Sequence, residues 1–113
     1  MQRDNCSREE LLQNIPRNGR FLYGAFARFD SRDAMAFFEK LGVPLKTERG
    51  NRVFPQSDSA RSILDSLQRA LRSSGAMVKT ARVTEILTQE GEVSGVKTDQ
   101  GIFQAPAVIL ATG

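Results

Sequence analysis

The chain has 113 residues, 40% of them hydrophobic, and 16 Lys and Arg against 13 Asp and Glu give a net charge of +3. That length holds one small domain with a modest core. The basic residues are scattered rather than gathered on one stripe, apart from Arg49 and Arg52, which argues against a nucleic-acid surface. One cysteine, Cys6, and no histidine exclude an internal disulfide, a zinc set and Ser-His-Asp or Cys-His nucleophiles within the chain.

The opening MQRDNCSREE lacks the apolar region of a signal peptide, and a lone thiol suits the reducing cytoplasm. No apolar run nears the ~20 residues that span a bilayer, so no membrane role is expected. SREELLQNI carries Ser7 with Glu10 three residues on, a capping box that starts a helix ended by Pro16 and Asn18-Gly19. RFLYGAFARF sets Phe21, Leu22, Ala25, Phe26 and Phe29 on one helical face. In DSRDAMAFFEKLG, Asp30 or Ser31 caps a helix bearing Ala34, Met35, Phe37, Phe38 and Leu41, with Gly42 and Pro44 closing it. The phenylalanines concentrated in these helices are expected to form a helical mini-core.

PLKTERGNRVFP reads as a hairpin or irregular β-loop around Gly50-Asn51. From Ser57, apolar residues at Ala60, Ile63, Leu64, Leu67, Ala70 and Leu71 follow the spacing of an amphipathic helix to Ser74. After Gly75 the period becomes that of strands. AMVKTARVTEIL, with Met77–Thr80 extended, EVSGVKTD and GIFQA are separated by turns at Glu90-Gly91 and Asp99-Gln100-Gly101, which predicts a three-stranded antiparallel meander. Ala107 to Ala111, in PAVILATG, has no polar alternation, as in a strand covered on both faces of a parallel sheet.

The predicted fold class is therefore α+β: N-terminal helices, a long amphipathic helix, the meander and a terminal buried strand. Residues 1–56 read as a helical segment with a β-loop and residues 57–113 as a helix, strand, meander and terminal strand, the two together expected to form one compact unit.

GVPLKTERGNRVFPQSDSA, SSGAMVKTARVTEIL, GEVSGVKTDQG and PAVILATG, with NGRFLYGAF nearer the start, resemble bacterial FAD-dependent oxidoreductases of the two-dinucleotide-fold group. The resemblance is to the NAD(P)/FAD-dependent oxidoreductase family, aminoacetone-oxidase-like or bile-acid dehydro-reductase-like, and it covers nearly the whole chain. It implies FAD as cofactor and NAD(P)H as a further partner. In such proteins a strand and G-x-G-x-x-G open the cofactor domain and hold the pyrophosphate. No G-x-G-x-x-G occurs in this sequence, so the resemblance implies an internal fragment of such an oxidoreductase, inactive by itself.

Carried over residue by residue, the resemblance implies that the Val83 main chain reads the adenine, flanked by Arg82 and Thr84. Ala111, Thr112 and Gly113 would lie at a strand end where the dinucleotide approaches. Arg49, Arg52 and Tyr23 are candidates for the substrate side, against the plainer readings of solvated arginines and a tyrosine at the edge of a core. The alternative to a flavoprotein fragment is a non-catalytic interaction module that self-associates through the edge of its last strand.

Overall fold

A computed structural model describes residues 7–113; Cys6 lies outside the described residues. The chain forms two compact units, Met1–Ala76 and Met77–Gly113. The fold is α+β, with helices and a hairpin in the first unit and an antiparallel sheet in the second.

In the first unit, α1 (Arg8–Gln13) starts at the expected capping box: the Glu10 N–H donates to Ser7 Oγ, and the Ser7 N–H donates to Glu10 Oε2 at 2.9 Å. The next stretch divides into a 3-10 turn, Gly19–Leu22, and α2 (Tyr23–Arg28), rather than one helix. α3 (Ser31–Lys40) is capped by Asp30, whose Oδ1 accepts from the Arg32 and Asp33 N–H groups. The Arg8 guanidinium donates from Nε to Asp30 Oδ2 at 3.0 Å and so ties α1 to the cap of α3.

The β1 (Leu45–Glu48) and β2 (Arg52–Pro55) strands pair antiparallel, Leu45 opposite Pro55 and Glu48 opposite Arg52. α4 (Ala60–Ser73) begins later than its periodicity suggested: Ser59 is its cap, and Asp58 stands before it at φ 56°. Asp58 accepts from Lys46 Nζ at 2.6 Å, and Glu48 accepts from the same ammonium at 3.2 Å, joining the hairpin to the approach of α4.

The expected phenylalanine mini-core does not close. Among the described residues Val43, 4% exposed, is the buried hydrophobic one, whereas Phe21 is 87% and Phe29 53% exposed. α1 and α2 have six residues each, and such short helices offer too little surface to cover large aromatic rings on more than one side. Phe29, Phe37 and Phe38 still meet edge to face, with centroids 6.5 and 5.3 Å apart.

In the second unit, β3 (Val83–Gln89), β4 (Glu92–Thr98) and β5 (Gly101–Gln104) form the meander in that spatial order. Glu90 and Gly91 link β3 to β4 with φ of 53° and 82°, the pair of left-handed residues that a two-residue hairpin turn requires. The Asp99-Gln100 turn links β4 to β5.

Two expected strands do not form. Met77–Thr80 is irregular, with Met77 83% and Val78 76% exposed. Ala107–Ala111 is neither a strand nor buried, with Ile109 90% and Leu110 71% exposed. A parallel strand takes its hydrogen bonds from neighbours, and among the described residues neither segment has a strand beside it.

Candidate functional site: the entry of β3

The start of β3 is held from one side only. The Asp99 N–H donates to the Arg82 carbonyl at 3.1 Å, and the Arg82 N–H donates to Asp99 Oδ1 at 2.9 Å. Both peptide groups of Arg82 therefore face the turn after β4. Peptide directions alternate along an extended strand, so the N–H and C=O of Val83 turn the other way, towards the outer edge of β3. Among the described residues no strand pairs with that edge.

A bulge follows immediately. Val83 opposes Thr98 and Glu85 opposes Lys97, which leaves Thr84 as the extra residue. A bulge bends its strand and ends regular pairing along the edge. The Thr84 hydroxyl donates to the Lys97 carbonyl at 3.3 Å and is thereby drawn towards β4. The Val83 side chain is 54% exposed. Arg82 is exposed, and its guanidinium has no ion-pair partner among the described residues.

The β4–β5 turn adds further contacts. Thr98 Oγ1 donates to the Gly101 carbonyl at 2.8 Å and accepts from the Gln100 N–H at 3.0 Å. The Gln100 side-chain amide donates to the Thr80 carbonyl at 3.1 Å. Asp99 and Gln100 thus grip the chain on both sides of Ala81. In the sequence these residues signal only a turn; their side-chain reach across 17 and 20 positions has no periodic signature.

An open edge that presents one N–H and one C=O side by side matches a ring with an acceptor beside a donor, which is how adenine pairs with a peptide unit. Ala111, Thr112 and Gly113 are exposed and extend beyond the sheet, with no hydrogen bond to it among the described residues.

The remaining candidates belong to the first unit. Arg49 and Arg52 flank the hairpin loop, where Arg52 Nε donates to the Arg49 carbonyl at 3.3 Å. The Arg52 guanidinium lies 5.9 Å from the centre of the Phe54 ring, within reach of the ring's negative face. Tyr23 opens α2 on the wall of a cavity of about 610 Å³ shared with Arg8, Arg20 and Phe26. The described residues contain no group of three or more His, Cys, Asp or Glu placed to hold a metal. None of their helices is long and apolar enough to cross a membrane.

Residues 3–113 match the family described as the HI0933-like protein Rossmann domain. The chain belongs to this family of Rossmann domains. Over 93 residues it is 31% identical to a 3-dehydro-bile acid delta(4,6)-reductase from Clostridium scindens. That match takes in 82% of this chain and 22% of the reductase, so the chain spans about a fifth of the length of the curated relative.

Proposed function

We propose that the chain is an internal part of an FAD-dependent oxidoreductase and supplies the adenine side of its FAD site. The outward-facing N–H and C=O of Val83, beside the Thr84 bulge, carry this reading. Val83 pairs with the adenine through its main chain. Arg82 and Thr84 flank it, and Ala111, Thr112 and Gly113 approach the dinucleotide at the end of the PAVIL segment. Residues 57–113 belong to the cofactor domain, and Arg49, Arg52 and Tyr23, within residues 1–56, are the substrate-side residues.

The bound flavin supplies the hydride chemistry; these residues bind and orient it. The name of the Clostridium scindens relative supports a reductase of an unsaturated organic substrate; NAD(P)H as electron donor and a cytoplasmic setting complete the proposal. By itself the chain is catalytically silent, because it lacks the glycine-rich phosphate loop. Titrating FAD with the purified chain and following flavin fluorescence tests this: the expected result is no tight stoichiometric binding. Saturation at one equivalent in the micromolar range would overturn the requirement for that loop.

A second reading is an interaction module that self-associates, favoured by the exposure of Ile109 and Leu110. It predicts concentration-dependent dimers in light scattering. A strict monomer at millimolar concentration rules it out.

A further inference from the structure

We infer that Asp99 and Gln100, in the β4–β5 turn, are positioning residues for the adenine contact at Val83. The inference rests on the reading of the Val83 edge given above and extends it to groups that do not themselves touch the cofactor. Which way the Val83 peptide groups face is decided one residue earlier, at Arg82. There a single residue of the turn takes both groups: the Asp99 main chain donates to the Arg82 carbonyl at 3.1 Å, and its carboxylate accepts the Arg82 N–H at 2.9 Å. With Arg82 bonded inward at both atoms, Val83 has to present both of its own atoms outward.

The ladder alone cannot impose this. Val83 is the first residue of β3, the bulge at Thr84 interrupts pairing directly after it, and the chain before it, from Met77, is irregular. A strand end between a bulge and an irregular approach is free to twist unless side chains fix it. Gln100 supplies the second anchor, from its side-chain amide to the Thr80 carbonyl at 3.1 Å. The turn that bears both anchors is itself braced by Thr98 Oγ1, which bonds the Gln100 N–H and the Gly101 carbonyl. Thr98 is 8% exposed, so this brace is shielded from competing water. Asp99 and Gln100 are both exposed, and burial in a core does not account for their placement.

The test compares FAD with FMN, which carries the same flavin and no adenine, on the complete oxidoreductase that contains these residues. Asp99→Ala is expected to weaken FAD about tenfold, the scale of one charge-assisted hydrogen bond, and to leave FMN affinity unchanged. Asp99→Asn keeps an oxygen acceptor for the Arg82 N–H and is expected to stay within about twofold of the parent. Gln100→Ala, which spares the Arg82 pair, is expected to cost FAD about two- to threefold.

Equal loss of FAD and FMN in Asp99→Ala, or no loss of either, overturns the inference. Gln100→Ala serves the same comparison should Asp99→Ala fail to fold. Val83→Pro, which removes the outward N–H, separates the inference from the reading beneath it. If Val83→Pro lowers the preference for FAD while the Asp99 and Gln100 variants do not, the adenine reading stands and the positioning role falls. If Val83→Pro leaves the preference intact, the adenine reading itself fails.

Discussion

Replacing Gly95 with alanine should detach β5 from the sheet. Gly95 lies in β4 at φ 154°, and a Cβ built on it would sit 2.1 Å from the Phe103 carbonyl oxygen and 2.9 Å from the Gln104 Cα. Both obstacles are backbone, so no rotamer change relieves them. Real Cβ atoms essentially never approach within 3.0 Å, and β5 must therefore retreat by about 0.9 Å. A ladder bond of about 2.9 Å stretched that far is broken. Overpacking costs about 1–3 kcal/mol, and each lost ladder bond adds about 1 kcal/mol, for a total of about 3 kcal/mol. Small domains have only about 5–15 kcal/mol of stability in all, so the melting temperature should fall by more than about 10 °C. Circular dichroism gives the melt, and amide hydrogen exchange at Phe103 and Ala105 reports on β5 directly. Gly91→Ala separates strain from clash: at φ 82° alanine is strained, but nothing lies within 4 Å of the added carbon, so it should lower the melt and leave exchange at Phe103 as in the parent. For Gly95→Ala, unchanged exchange at Phe103 and a melting temperature within about 3 °C of the parent would refute the reasoning.

Gly24→Ala should act in the opposite direction, raising stability by about 0.5–1 kcal/mol in a chemical melt, because Gly24 lies inside α2 with open space where a Cβ would go and glycine is a poor helix former. Val43→Ala should cost about 1.6 kcal/mol for two buried carbons, given that Val43 is 4% exposed; an effect near zero would mean this residue anchors no core. Acid should weaken the first unit through Asp30, whose carboxyl is held below its ordinary value of 3.8, first by the Asp33 N–H bond and also by those from Arg8 and Arg32. A depressed folded value means the contribution is whole above pH ~4 and disappears as pH falls through that lower value. Asp30→Asn keeps the cap but not the charge, so its melting temperature should vary less between pH 5 and 2 than the parent's.

Local chemistry was legible in the sequence wherever neighbours in the chain settle it. Ser7 with Glu10, Asp30 before α3, and Glu90-Gly91 between β3 and β4 all behave as their residue types dictate, because each satisfies backbone groups within a few positions. The limits of α4 were less legible: its apolar spacing extends back towards Ser57, but the Ser59 hydroxyl takes the Arg61 N–H and sets the start there. Met77–Thr80 and Ala107–Ala111 carry strand-forming residues without a strand, since composition reports a preference and only a neighbour completes the hydrogen bonds. At the site, Val83 came into view through resemblance. The grip of Asp99 on Arg82 did not, because a contact between a turn and a strand entry leaves no period to read.

The meander also contains a pair of opposed offsets. Thr84 is an extra residue on β3, and Ser94 is an extra residue on β4, between the pairs Leu87–Gly95 and Thr88–Val93. The two behave like compensating frameshifts. Between them the strands run one step out of phase, and beyond Ser94 they return to the phase in which Val83 met Thr98. Deleting Thr84 alone would keep every one of these pairs, with Val83 and Glu85 now adjacent opposite Thr98 and Lys97, and leave the Ser94 bulge without its counterpart. Deleting Thr84 and Ser94 together would leave two strands of equal length and an intact turn. Loss of either residue is therefore a change of local bend and twist in the meander, and not of which residues meet across it.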